Sequence, residues 1–380
     1  MTTWAARAGT AVIGTLADAA AAAWRADRRT VRTLDLVVEL ATRLPSFAHL
    51  LGPKLRQLRE AAHDPRLDES PAEPPVNAQS PLDMEVLAVL REATWDARRD
   101  LRREVTDPSP SWSSASYSAV RKALDIARAE RVGYAHGMHL FLALTEDPGC
   151  RAMEVLASLG VTGDHIRHAV PIRSSIAAEG SPTARSADFL TAAGVLTRPG
   201  EGGAAPGRLR HRLSRLVLRS GVGVLVPVLE QEAVRQTVRM GAPEVDSVGL
   251  LAAVLSLDEQ LRARQRSFAP PWAATNAAGE ILAGSGLDVA ATTARAVVPA
   301  EPGSAADRTY RWRSRRGDPV FGADAAAVTR HAVGIRETGD VGTSHLLLAM
   351  LDSPDCAANR LLRGVINMAE VRQELSARMR

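Results

Sequence analysis

The sequence predicts an all-α protein built from helical repeats. Three observations carry that prediction. Aromatic residues are scarce, with 6 Trp, 3 Tyr and 5 Phe in 380 residues, so Ala, Leu and Val must supply the core, as they do between closely packed helices. Apolar side chains recur at helical spacing, as in Val120, Ala123, Leu124 and Ala127 at i, i+3, i+4 and i+7. Proline and glycine collect in a few stretches and leave long segments between them uninterrupted.

Composition bounds the rest. A chain of 380 residues suggests two to three domains, and 46% hydrophobic with 24% charged residues is the balance of a globular protein. Two cysteines exclude a disulfide scaffold and a Cys₄ zinc site. The apolar run at 222–229, broken by Pro227, is far shorter than the roughly 20 residues a membrane helix needs. Of the 47 basic residues only Lys54 and Lys122 are lysines. A GC-rich coding sequence explains that bias. A phosphate-binding surface is the alternative, and the 43 interspersed acidic residues disfavour it. The densest basic cluster is Arg308, Arg311, Arg313, Arg315 and Arg316, with Tyr310 and Trp312 between.

The elements follow in order. Residues 10–27 are Ala-rich, but Asp18 interrupts them and no cleavage site follows, so they read as a helix rather than a signal peptide. A second apolar helix starts at Thr33. Residues 63–81 carry Pro65, Pro71, Pro74, Pro75 and Pro81 and read as an exposed linker. Residues 81–105 form a helix outside the repeat pattern. From Ala119 a full unit is legible: an amphipathic helix, a loop with Gly133 as C-cap, a helix 139–144 apolar nearly all round, a break at Asp147-Pro148, a helix ending at Gly160, and a short last helix. Residues 171–207, rich in Gly and Pro, read as a linker.

The unit recurs. His139-Leu140-Phe141-Leu142-Ala143-Leu144 matches His345-Leu346-Leu347-Leu348-Ala349-Met350 at an offset of 206. Gly133, Pro148, Cys150 and Leu156 match Gly339, Pro354, Cys356 and Leu362 at the same offset. Fainter copies lie over 10–62, with the apolar run starting at Thr33, and over 225–296, with the run starting at Val248 and an insertion at 258–275. A unit of this size closes its core poorly alone, so copies should pair. The expected organisation is a domain over 1–170, with repeats at about 10–62 and 117–170 around the linker 63–81. A flexible linker over 171–207 follows, then a domain over 208–380, with repeats at about 222–298 and 321–380 around a linker at 299–319.

Gly342-Thr343-Ser344-His345 followed by Leu346-Leu347-Leu348-Ala349-Met350-Leu351, and His136-Gly137-Met138-His139 followed by Leu140-Phe141-Leu142-Ala143-Leu144, resemble the N-terminal (Clp R) domain of Clp unfoldases of the ClpA and ClpC type. The resemblance implies an all-helical pseudo-dimer of two repeats, here present twice. It implies a module that docks substrates and adaptors. The ATPase modules of those unfoldases need G-x-x-x-x-G-K-[ST], and neither lysine, Lys54 after Pro53 or Lys122 after Arg121, stands in such a loop. In ClpC-type domains the acidic residue before the histidine serves phosphoarginine recognition. The matching residues here are Leu34, Met138, Val248 and Ser344, so that property is not carried over.

The resemblance implies protein or peptide partners, including a Clp unfoldase or protease or its substrates. With no membrane-spanning run and no signal peptide read in the sequence, a cytoplasmic location with reduced thiols is expected, and no cofactor is expected. Adaptor, regulator and competitor roles are expected first. A decoy for a Clp-directed small molecule or peptide, and an arginine-rich nucleic-acid regulator, are the alternatives. The expected contact residues are Met138, His139, Thr343, Ser344 and His345, at the starts of the apolar helices. His136-x-x-His139, His165-x-x-His168 and Cys150 have spacing a metal could use, but the well-matched fourth copy lacks the partners of His136 and His165, and no metal is expected. Cys150 and Cys356 share one slot, which points to packing rather than catalysis. No Gly-x-Ser-x-Gly elbow or His-Glu-x-x-His motif occurs, and no enzymatic activity is expected.

Overall fold

The computed structural model describes residues 6–72, 80–102, 108–147, 150–169, 184–198, 223–296, 318–336 and 339–380. Their regular structure is helical apart from strands of two residues each. The protein is all-α, as the apolar spacing predicts. The chain divides into two compact units between Pro182 and Thr183.

In the first unit β1 (Arg7–Ala8) leads into α1 (Thr10–Arg25), whose Ala19, Ala20 and Ala23 are fully buried. These small side chains let another helix approach, and α5 (Pro81–Asp100) lies along α1. The Ser80 hydroxyl accepts the Asp83 N–H at 3.0 Å and starts α5. The two helices run parallel: the Ala8 N–H donates to Glu85 at one end, and the Arg98 guanidinium lies over Trp24 at the other. The helix expected at 81–105 is therefore the cover of α1.

After α1 come β2 (Thr30–Val31), α2 (Thr33–Arg43), α3 (Pro45–Leu51) and α4 (Lys54–Ala61). The next copy is β3 (Ser111–Trp112), α6 (Ser114–Ala129), β4 (Tyr134–Ala135), α7 (Gly137–Thr145), α8 (Arg151–Ser158) and α9 (Gly163–Ala169). Pairing is parallel and reciprocal, β1 with β4 and β2 with β3. The strand before the first helix of one copy pairs with the strand before the second helix of the other. That is the contact pattern of a pseudo-two-fold. The turn after α6 uses Arg131, at φ 57, as its left-handed residue, with the Val132 N–H reaching the Ala127 carbonyl; Gly133, the expected cap, lies two residues beyond.

The second unit contains α10 (Arg185–Ala192), β5 (Leu196–Thr197), α11 (Leu225–Met240), β6 (Glu244–Val245) and α12 (Ser247–Ala263). Next come β7 (Ser267–Phe268), α13 (Pro270–Ala273), α14 (Ala278–Gly284) and α15 (Val289–Arg295). The final copy is β8 (Val320–Phe321), α16 (Ala323–Ile335), α17 (Thr343–Asp352), α18 (Ala357–Arg363) and α19 (Met368–Met379). β6 pairs with β8 in parallel. A Cβ added to Gly223 would lie 2.5 Å from the Asp340 Cβ, so the segments before α11 and before α17 are neighbours, as β1 and β4 are. The 258–275 insertion extends α12 to 17 residues, against 9 in α7, and adds β7 and α13.

Three expectations are corrected. Residues 63–72 are not a free linker. The buried Arg32 guanidinium donates to the carbonyls of Ala62 and Asp64 and to the Asp68 carboxylate, and Glu69 accepts the Thr33 N–H at 3.0 Å. A carboxylate at a helix N-terminus satisfies an orphan donor, which anchors the segment. Likewise 184–198 is not linker: Ser186, Ala187 and Leu190 bury one face of α10 against α11 and α12, and β5 pairs antiparallel with β7. Finally, the central helices are not buried all round. Leu140 and Leu346 are in the core, but Leu142 and Leu348, with Val38 at the same place in the first copy, are half-buried. The rest of the 171–207 linker, most of 299–319 and the cluster at 308–316 lie outside the described residues. Among the described residues no helix is long and apolar enough to cross a membrane.

Candidate functional site

The starts of the central helices are built alike. The third residue of α7, His139, accepts the His136 N–H on Nδ1 at 3.1 Å, so its Nε2 carries the proton and donates to Glu130 at 3.0 Å. In α17 the Nδ1 of His345 accepts the Gly342 N–H at 3.0 Å. In α2 the same slot holds Asp35, which accepts the Arg32 N–H at 2.9 Å and takes the Arg28 guanidinium on both oxygens, at 2.8 and 2.6 Å. What the slot requires is a side-chain acceptor that folds back on the preceding N–H, and neutral His or ionised Asp both supply it. In α12 the slot is Gly249, and Asp246 at the N-cap accepts its N–H at 2.9 Å instead.

The two copies of each unit are clasped at these same helix starts. In the first unit the Ala152 N–H of α8 donates to the Thr33 hydroxyl of α2 at 3.3 Å. In the second, the Ala358 N–H of α18 donates to the Ser247 hydroxyl of α12 at 2.8 Å. The reverse clasp is also made there: the Ala277 N–H donates to the Ser344 hydroxyl at 3.1 Å, and the Thr343 N–H donates to Asn276 at 2.8 Å. In the first unit the reverse position is apolar, with Gly137 against Leu44. Behind the hydroxyls stand carboxylates: Glu69 on Thr33 and Ser113, and Asp324 on Ser247.

All five expected contact residues sit inside this machinery. Met138, His139, Thr343, Ser344 and His345 are 0–3% exposed. They hold helix ends and cross-repeat bonds and are not themselves a surface. Sequence reasoning missed the clasp residues Thr33, Ser247 and Asn276, and Asp324 behind Ser247.

The groups gathered here hold helix ends and cross-repeat contacts. Burial pushes the Cys150 thiol up to about 11 and raises that of Cys356, which leaves both thiols protonated at neutral pH. Cys150 and Cys356 begin α8 and α18 and point at the Leu144 and Met350 carbonyls. Among the described residues no group of three His, Cys, Asp or Glu could hold a metal ion. Burial, and then the neighbouring His139, push His136 down to about 4. Its Nδ1 accepts the Met138 N–H, and its Nε2 is buried without a partner. The open features are grooves. One of about 190 Å³ in the first unit is lined by Ala119, Lys122, Leu144, Glu146 and Cys150, with Lys122 and Glu146 paired at 3.0 Å. One of about 590 Å³ in the second lies between α14 and α19.

Comparison with protein-family models matches residues 112–189 to the Clp repeat (R) N-terminal domain. The chain contains a Clp repeat domain. The match takes in the second copy from β3 onward and reaches into α10. Clp repeat domains are non-catalytic docking domains that bind proteins and adaptors, so this part of the chain is a Clp-type protein-interaction module. No curated protein and no solved structure matches the chain.

Proposed function

We propose that the chain is a non-catalytic docking protein of Clp-dependent proteolysis, acting as adaptor, regulator or competitor of an unfoldase. The carrying observation is the Clp repeat at 112–189, paired reciprocally with the copy before it. On this reading the chain holds two Clp N-like domains in tandem, the second beginning at α10 rather than at residue 208. The strand pairing, helix-start acceptors and hydroxyl clasps that recur in the second unit support it. The docking surface lies beside the starts of the central helices and along the seams between copies. Exposed neighbours such as Glu130 and Arg131 form it, and Met138, His139, Thr343, Ser344 and His345 hold it from within. Such a role places the protein in the cytoplasm with reduced thiols.

Affinity purification at native expression level, read by mass spectrometry, tests the reading. A Leu140→Ala variant is the misfolding control, because Leu140 is fully buried. Recovery of a Clp unfoldase, its peptidase or a set of its substrates, lost in the control, is the expected result. Retention of nucleic acid or a small molecule with no Clp component would overturn it.

A further inference from the structure

The groove of about 590 Å³ in the second unit is a cleft that the helix-start machinery does not use. It runs between α14 of one copy and α19 of the other, so it exists only when the two are paired. Ile281 and Val371, both buried, form its floor, and Val365 and Ile366 line it half-buried. The polar rim is Glu280, Glu370, Glu374, Asn367 and Arg378, all exposed. Three carboxylates face one guanidinium, so the mouth is acidic above an apolar floor.

Arg378 shows what fits. Its two terminal nitrogens lie 3.2 and 3.1 Å from the two Glu280 oxygens, and one of them also lies 3.2 Å from Glu374. The slot between these carboxylates thus already accepts a guanidinium in fork geometry. The pair is solvent-exposed, with Arg378 at 40% and Glu280 at 67% side-chain exposure, so it yields to a competing guest at little cost. The volume lies within the range of ordinary ligand clefts, about 300–1,000 Å³.

We infer that this groove receives an arginine-bearing peptide segment of a partner protein, with guanidinium groups on Glu280, Glu370 and Glu374 and aliphatic side chains on Val365 and Ile366. The inference rests on the protein-docking reading above and names the class of guest for one of its surfaces. The fit is by charge complementarity and fork geometry, so arginine is preferred over lysine and binding weakens with salt.

The test is fluorescence anisotropy of the full chain with a labelled six-residue peptide alternating Arg and Leu. Saturable binding is expected. It should weaken by at least about tenfold in Glu370→Lys and in Glu374→Lys, the loss of one charge-assisted contact. It should be unchanged in Glu60→Lys, an equal charge change on α4 of the first unit, and weaker for a Lys-for-Arg peptide. Circular dichroism confirms that the variants stay helical. Absence of saturable binding, or equal losses in all three variants, would overturn the inference. Binding seen only after Arg311 and Arg313 are replaced by Ser would put the chain's own arginine run in the groove and overturn an external guest. These outcomes leave the Clp co-purification untouched, so the two readings fail separately.

Discussion

At the residue scale the histidines and cysteines that look like chemistry are holding groups. His136 is neutral in the folded protein because burial and His139 push it down to about 4 from an ordinary 6.5. The unfolded chain takes up the proton first as pH falls, so the stabilisation present above pH 6.5 is lost between about 6.5 and 4. The total is about 3 kcal/mol. A His136→Asn variant keeps a capping acceptor and removes the titration. Thermal unfolding across that pH range should show a flatter profile for the variant than for the parent. The two thiols give a second prediction. Cys150 and Cys356 should resist a thiol reagent at pH 8 in the native protein and react fully in denaturant. Rapid native labelling of either would contradict their place at the buried starts of α8 and α18.

At the element scale the copies are held by apolar helices and by hydroxyl clasps. Leu140→Ala and Leu346→Ala should each cost about 2–5 kcal/mol in chemical unfolding. The half-buried Leu142→Ala and Leu348→Ala should cost about 1 kcal/mol. Ser344→Ala and Ser247→Ala each strand a buried N–H, of Ala277 and Ala358, and should cost about 1–3 kcal/mol. Helix order and the 206-residue register were legible because apolar spacing and turn residues are local signals. The clasps were not, because a Ser or Thr at a helix start reads as a local cap, while the Ser247 partner lies 111 residues away. The outward lean of Leu142 was hidden for a related reason: an all-apolar helix does not declare which side is covered. Nor was α10 legible. Its eight residues bury only three side chains, and its docking depends on Ser186 reaching Glu232 at 3.1 Å and on the Ala187 N–H reaching Gln260 at 3.3 Å. Glu232 also takes Arg235, Gln236 and Ser256. A fragment of residues 208–380 would leave that buried network open, so its urea midpoint should fall below that of 184–380.

At the scale of the whole molecule, the proposed reading is docking without a motor within these residues. The only two lysines stand outside any phosphate loop, and the Clp repeat match begins at the second copy. On that reading the chain acts by changing what a separate unfoldase engages. Reconstituted degradation of a model substrate by the Clp unfoldase and peptidase of the source cells, with the purified chain titrated in, tests that most directly. The account predicts a saturable change in rate, upward for an adaptor and downward for a competitor, which is lost in a Leu140→Ala/Leu346→Ala double variant. A rate that stays constant up to a large excess of the folded chain would contradict it.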